Sequence, residues 1–183
     1  MTRKTLVACF AALALPIAAA QAQLGFGVAA GPSTPMGDFS DIAKTGYQAS
    51  GLVNLSLPLL PVGLRFEGSF GEYDYKDIGT VKSDAKARIL SATANAMLST
   101  PGIIGPYLIG GVGYYRASSE CSTCSTSSSK VGFNAGVGVK LGLAGLSVFA
   151  EARYHYVPGA SNPTTAGKNS STQFVPVSVG ITF

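Results

Sequence analysis

Alternation of apolar and small polar residues along strand-length segments is the feature that most constrains this chain. In KVGFNAGVGVKLGL, residues 130–143, the residues Val, Phe, Ala and Leu take every second position, with Gly, Asn and Lys between them. A period of two residues is typical of a β-strand whose two faces differ. Seven other segments share this pattern, and they read LGFGVAAG, YQASGLVNLSL, LRFEGSFGEY, ILSATANAMLS, PYLIGGVGYYR, LSVFAEARYHY and FVPVSVGITF. The sequence therefore predicts an all-β fold of eight strands.

The first residues have the features of an export signal. Two basic residues precede an apolar run at 6–20, and a small-x-small AQA sequence ends at residue 22. The apolar run is too short for a retained membrane anchor, so we predict a secretory signal peptide at 1–22 that is removed, and one domain at 23–183. Removal takes two of the 13 basic residues, and the net charge falls from +4 to +2. Such a small excess gives no reason to expect a nucleic-acid partner.

The connections between the eight segments alternate between tight and long. The long ones are predicted at 32–46, 74–87, 117–129 and 158–171, and the first could hold a short helix capped by Asp38 or Ser40. No run of 18 apolar residues follows the leader, so strands alone could cross a membrane, and only when closed into a barrel. Alternating short and long connections are typical of such barrels. We predict an eight-stranded antiparallel up-and-down transmembrane β-barrel.

The composition of the polar face indicates which side points inward. That face carries mostly Gly, Ser, Asn and Thr, and only 12% of all residues are charged, against the ~25% usual in soluble domains. Small residues suit the narrow interior of a barrel, and the uncharged apolar face suits lipid. Aromatic residues near the strand ends are predicted to form interfacial girdles, namely Tyr47, Phe70, Tyr114, Tyr115, Tyr154, Tyr156 and Phe183.

Five charged residues fall on the predicted inner face. They are Arg65, Glu67, Lys140, Glu151 and Arg153. Buried charges need partners, and no two adjacent strands contain all five, so we expect a lumenal polar network that spans the barrel. The favoured interpretation is a structural plug, and the alternative is a gated ion path.

Two cysteines, Cys121 and Cys124, lie in a Ser/Thr-rich stretch. A C-x-x-C pair can be a redox centre, half of a zinc site or a local disulfide. The βαβ setting of redox enzymes and a second pair of zinc ligands are both missing from the sequence, and an exported chain favours disulfides. We therefore favour a local disulfide between them.

The single histidine, His155, has no serine at close spacing and falls on the inner face. General-base catalysis needs a nucleophile within hydrogen-bond reach, and the sequence offers none beside it. We therefore predict no catalytic residue, no metal site, no cofactor and no enzymatic activity.

Three segments resemble a known family. GPYLIGGVGYY, VGFNAGVGVKLGLAGLSVFAEARYHY and the terminal FVPVSVGITF are similar to the small eight-stranded outer-membrane barrels of the OmpA-like and OmpX-like kind. The resemblance implies the outer membrane of a Gram-negative-type bacterium, periplasmic termini, and outer-membrane lipid and the assembly machinery as partners. It also implies a C-terminal sorting signal formed by Val175, Val177, Val179, Ile181 and Phe183. The expected role is structural or one of surface interaction with an unknown ligand; the alternatives are a narrow porin-like channel and, less favoured, a lipid-modifying enzyme.

Overall fold

Eight strands follow one another in sequence order around a closed antiparallel barrel. The structure, a computed structural model, describes residues 23–56, 61–76, 86–121, 124–143, 145–159 and 171–183, so the predicted leader lies outside the described residues. The strands are β1 (Gln23–Met36), β2 (Gly46–Ser56), β3 (Val62–Asp74), β4 (Lys86–Ser99), β5 (Ile104–Cys121), β6 (Cys124–Leu143), β7 (Leu146–Val157) and β8 (Thr172–Thr182). The predicted eight-stranded antiparallel barrel is confirmed.

The first and last strands close the barrel. β1 pairs with β8 along most of its length, and β8 also pairs with β7. The closing pair ends with two reciprocal backbone hydrogen bonds of 2.8 Å between Phe26 and Phe183. Closure satisfies the backbone groups that an open sheet edge would leave unpaired, and a lipid environment requires this.

The apolar face of the strands points outward. Side chains such as Phe26, Val137 and Val179 are at least half exposed, whereas Arg65, Glu151 and Arg153 are buried inside. Six of the seven predicted girdle residues are exposed, but Tyr115 is buried, and its assignment to the girdle is wrong. Tyr114 and Tyr115 are consecutive in a strand, so they point to opposite faces and only one of them can lie on the outside.

The two ends of the barrel differ. At one end, the turn end, β4 joins β5 through residues 100–103. Both chain termini of the barrel, the start of β1 and the end of β8, also lie at this end. At the opposite end, the loop end, the strands β5 and β6 continue pairing up to Cys121 and Cys124. The prediction of a long loop at 117–129 is therefore wrong, since the Ser-rich stretch extends the β5–β6 hairpin. Strand pairing uses backbone hydrogen bonds, so it does not require apolar side chains.

The backbones of Cys121 and Cys124 are direct partners across this hairpin. Paired residues of antiparallel strands have Cα atoms about 4.5–5.5 Å apart, within the range that a disulfide bridges. The side chains of both cysteines lie outside the described residues, so the disulfide stays a prediction.

A short helix, α1 (Asp38–Ile42), lies over the loop end. Gly37, with φ of 54°, precedes it, and no side chain caps it, so the predicted caps Asp38 and Ser40 are wrong. The Ser40 hydroxyl instead donates to the Gly37 carbonyl at 2.7 Å. Phe39 points into the barrel and is buried. In the described part of the chain, no helix has the length and apolar character to cross a membrane.

Candidate functional site

The middle of the lumen holds an ionic layer made by two strands on opposite walls. Arg65 on β3 donates to Glu151 on β7 across 2.8 Å, and Arg153 on β7 donates to Glu67 on β3 across 2.9 Å. Arg153 also pairs with Glu151 on its own strand. All four side chains are almost fully buried. The structure thus brings together four of the five charged residues predicted for the lumen.

Neutral side chains complete this ionic layer. The Tyr107 hydroxyl donates to Glu151 at 2.8 Å, and Arg65 Nε donates to the Asn54 side-chain oxygen at 2.8 Å. The Arg65 guanidinium carbon lies 4.8 Å from the centroid of the Phe149 ring, a cation–π contact. Because every acidic group accepts from a neighbouring donor, the buried charges are compensated as a buried network requires.

Two inward glycines make room for the aromatic rings of the ionic layer. A Cβ at Gly138 would lie 2.3 Å from the Tyr107 ring, and one at Gly180 would lie 2.4 Å from the Phe149 ring, both too close for a real side chain. These two glycines therefore do not leave the lumen empty, since the neighbouring rings occupy the space above them. Tyr107 and Phe149 were absent from the predicted lumenal network, although strand parity alone assigns both to the inner face.

Lys140 does not join the ionic layer. Its side chain is half-buried in a vestibule of about 860 Å³ at the turn end, where Arg65 and Tyr107 form part of the lining. Lys140 lies two residues nearer to the turn end than Gly138, and Gly138 is the register partner of Glu151. No described acidic side chain lies within ion-pair distance of it. Because the vestibule opens to solvent, the ammonium keeps its hydration and needs no buried partner.

An aromatic layer fills the lumen between the ionic layer and the loop end. The rings of His155 and Phe174 stack with centroids 4.7 Å apart, and Tyr115 lies edge-on to both. The Tyr115 hydroxyl lies 2.8 Å from His155 Nδ1. Tyr73 continues the layer, 5.2 Å from the ring of Phe39 on α1. The helix α1 thus covers the aromatic layer on its loop-end side.

Little space remains between the two layers. A cavity beside Glu67, Arg153 and His155 has a volume of about 10 Å³, and a second cavity, on the loop-end side of Tyr115, is equally small. His155 Nε2 and Arg153 Nη1 are buried and have no hydrogen-bond partner among the described residues. A space of this size holds at most about one water molecule, which could satisfy such groups. In the described lumen the ionic and aromatic layers therefore pack with little space between them.

His155 is 2% exposed, and its Nδ1 lies beside the hydroxyl of Tyr115. Among the residues that the structure describes, no three His, Cys, Asp or Glu side chains are grouped so that they could hold a metal ion.

The residues predicted as a sorting signal share the outer face of β8. Val177, Val179, Ile181 and Phe183 are exposed and Val175 is half-buried, while Phe174 and Gly180 between them point inward. The structure places the five residues in one row, and their use as a signal stays a prediction.

A closed eight-stranded barrel with an apolar outer face and a charged, filled lumen defines the class of small membrane-embedded β-barrels. Residues 5–183 match the family described as outer membrane protein beta-barrel domain, so the chain belongs to that family. Membership places it in the outer membrane of a Gram-negative-type bacterium and confirms the resemblance found in the sequence. No curated protein matches the chain at a significant level.

Solved structures with the same fold have low sequence identity to this chain. Neisserial surface protein A superposes with a TM-score of 0.65 at 16% identity, over 88% of this chain and 97% of that chain. A major outer membrane protein from Thermus thermophilus gives 0.55 at 17% identity, over 87% and 98%. The N-terminal β-barrel domain of Pseudomonas aeruginosa OprF gives 0.52 at 15% identity, over 89% and 100%. At these identities the similarity shows the fold alone.

Proposed function

We propose that this protein is a closed outer-membrane barrel whose role is structural or one of surface interaction, carried by the segments at its loop end. The observation that carries the proposal is the pair of ionic contacts, Arg65–Glu151 and Arg153–Glu67, that joins opposite walls of the barrel. A lumen filled in this way makes a rigid scaffold. Function on a rigid scaffold commonly resides in its connecting segments.

Two other functions receive less support. A narrow porin-like channel needs a continuous path, and a cavity of only about 10 Å³ lies between the ionic and aromatic layers. A lipid-modifying enzyme needs a reactive group that faces the lipid, whereas His155 lies inside the barrel. The proposal therefore contains no catalytic step and no cofactor.

The proposal includes an orientation and a route of delivery. Residues 1–22 act as a cleaved signal peptide, and the turn end with both termini faces the periplasm. The assembly machinery recognises the row from Val175 to Phe183, and outer-membrane lipid covers the apolar face. The connecting segments at the loop end then face the outside, where an unidentified ligand would meet them.

Epitope insertion on intact cells tests the orientation. One variant carries the epitope within residues 160–170, between β7 and β8, and a matched variant carries the same epitope between Ala144 and Gly145 at the turn end. We expect antibody labelling of the first variant on intact cells and of the second only after permeabilisation. The reverse pattern would refute the orientation.

Complementation separates the structural role from the interaction role. A strain that lacks the protein receives either the wild-type chain or a chain in which 77–85 and 160–170 are replaced by Gly/Ser segments of equal length. Entry of a large hydrophobic dye measures envelope integrity. Full rescue by the replaced chain indicates a structural barrel, and rescue by the wild-type chain alone indicates a role of the loop-end segments. If neither chain changes dye entry, the structural role is refuted.

A further inference from the structure

Lys140 is the one charged side chain that the described structure places on the turn-end side of the ionic layer. The turn-end connections at 57–61, 100–103 and 144–145 contain no charged residue. Of the nine acidic residues of the chain, Glu67 and Glu151 lie in the ionic layer. The others belong to α1, to the loop-end parts of β3 and β5 and to the segment that joins β3 to β4, and they are Asp38, Asp41, Glu72, Asp74, Asp77, Asp84 and Glu120. The sequence therefore provides no acidic side chain at the turn end.

The side chain of Lys140 lies in the turn-end vestibule of about 860 Å³. Its stem runs over its register partner Gly105, where an added Cβ would lie 3.0 Å from Lys140 Cε. The terminal carboxylate of Phe183 borders the same vestibule. Among the described residues, however, no ion pair joins Lys140 to that carboxylate or to an acidic side chain. The ammonium of Lys140 is therefore available to an anion that enters from solvent.

Uncharged polar groups surround Lys140 in the vestibule. Hydroxyl side chains from four strands line it at inward positions, and they are Ser56, Ser99, Ser147 and Thr182. Each hydroxyl can donate one hydrogen bond and accept others. Tyr107 and Phe149, the rings of the ionic layer, form the inner end of the vestibule. A volume of about 860 Å³ lies within the ~300–1,000 Å³ of small-molecule sites, which combine apolar walls with a few placed polar groups.

The charges around the vestibule fit an anion with a single negative charge. Arg65 also borders the vestibule, but Glu151 compensates its charge at 2.8 Å. Lys140 thus contributes the one uncompensated positive charge among the described lining residues, and the Phe183 carboxylate would repel a second negative charge on the ligand. An ammonium donates charge-assisted hydrogen bonds to a carboxylate, and serine and threonine hydroxyls pair well with the hydroxyl groups of a sugar.

We propose that the turn-end vestibule binds a small sugar acid, with the carboxylate on Lys140 and the sugar hydroxyls on the Ser and Thr side chains of the lining. The ionic layer lies directly beyond the site, so the ligand enters and leaves at the turn end. That this end faces the periplasm rests on the proposed orientation, whereas the binding chemistry does not. Binding to the purified protein is therefore independent of the epitope experiment, and either proposal can fail alone.

Amide NMR spectra of the purified protein in neutral detergent, titrated with D-glucuronate, test the site. D-glucose and acetate are the control probes, since glucose lacks the carboxylate and acetate lacks the hydroxyl groups. We expect D-glucuronate to shift the amides of Gly105, Lys140 and Ser147 saturably, and the amide of Gly37 at the loop end to stay unchanged. Its affinity should exceed that of either control about tenfold or more, as the loss of a charge-assisted hydrogen bond or of several neutral ones implies.

Substitution of Lys140 tests its role in the site. Lys140→Gln should lower the affinity for D-glucuronate about tenfold, whereas Lys140→Arg should keep most of it, because it keeps the positive charge in the vestibule. The matched control is Lys130→Gln, which removes the same charge from an exposed position of the same strand at the loop end and should bind as the wild type does.

Four results would overturn the proposal. D-glucuronate could cause no saturable shift, or glucose or acetate could bind as tightly as D-glucuronate. Lys140→Gln could bind as tightly as the wild type, or Lys130→Gln could weaken binding as much as Lys140→Gln does.

Discussion

Arg65 and Glu151 meet at 2.8 Å although their strands, β3 and β7, are four strands apart in either direction around the barrel. The second contact, Arg153 to Glu67, joins the same two strands. The strands run in the same direction, and their sequences, Arg-Phe-Glu and Glu-Ala-Arg, have opposite charge order. Each charge therefore faces its opposite across the lumen, and the two contacts tie opposite walls together.

Removing the carboxylate at the centre of the ionic layer should destabilise the barrel. Glu151→Gln leaves Arg65 and Arg153 with one fewer anion in a buried site, so the free energy of unfolding should fall by about 3–5 kcal/mol. Urea unfolding in detergent, followed by the heat-modifiable shift on gels, measures this change. The control Glu72→Gln breaks solvent-accessible pairs and should have a much smaller effect. Equal effects of the two variants would contradict a structural role of the ionic layer.

Adding one methyl group inside the barrel should also be costly. In Gly138→Ala the new Cβ meets the ring of Tyr107, which is buried and bonded to Glu151. Overpacking of this kind lowers the free energy of unfolding by about 1–3 kcal/mol. Gly68→Ala is the matched control, because nothing lies within 4 Å of its new methyl group. If both variants unfold at the wild-type urea concentration, the inward ring does not fill the space over Gly138.

Phe39 should hold α1 over the loop end without supporting the barrel itself. Its ring packs on Tyr73, and the amides of Lys44 and Lys76 bond to the carbonyls of Asp74 and Ile42 nearby. In Phe39→Ala these amides should exchange hydrogen at least about tenfold faster, because the lost contact lets the helix open locally. Hydrogen-exchange mass spectrometry reports this change.

The control for Phe39 is Asp41→Ala, an exposed change on the same helix. It should leave exchange at both amides unchanged. A loss of barrel stability in Phe39→Ala equal to that of Glu151→Gln would show that the helix is part of the core and would refute local opening.

A short tag added after Phe183 should reduce the amount of protein that reaches the outer membrane. The proposed sorting signal requires an aromatic residue at the C-terminus. With the tag attached, Phe183 is no longer the last residue of the chain. Refolding into detergent should persist, since the bonds between Phe183 and Phe26 can still form. Fractionation of cells and a refolding assay give the two readouts, with the same tag placed within 160–170 as the control. Normal delivery of the C-terminally tagged chain would rule out the terminal signal.

Strand alternation predicted most of this architecture because burial on one face imposes a period of two. It predicted the eight strands and the outward apolar face, and it placed Arg65, Glu67, Glu151 and Arg153 inside. It could not predict how far each charge lies from an open end, so Lys140 was expected in the ionic layer although it lies in the vestibule. Position along the barrel axis depends on strand register, which the residue pattern alone leaves undetermined.

Other features were missed where composition is a poor indicator. The Ser-rich ends of β5 and β6 have no apolar alternation, so a hairpin held by backbone bonds resembled a loop. Phe39 lies in a polar segment, and nothing local indicates that it enters the barrel. The assignment of Tyr115 to the outer girdle could have been avoided. Tyr115 and Tyr107 are an even number of residues apart on β5, so both side chains point to the inner face.

Ion conduction tests the closed lumen most directly. Purified wild-type protein is reconstituted into planar bilayers, with a general porin as the positive control for insertion and detection. The ionic layer, the aromatic layer and cavities of about 10 Å³ predict no steady unitary conductance. Reproducible openings of a single size from the pure wild-type protein would contradict the closed lumen and would support the channel.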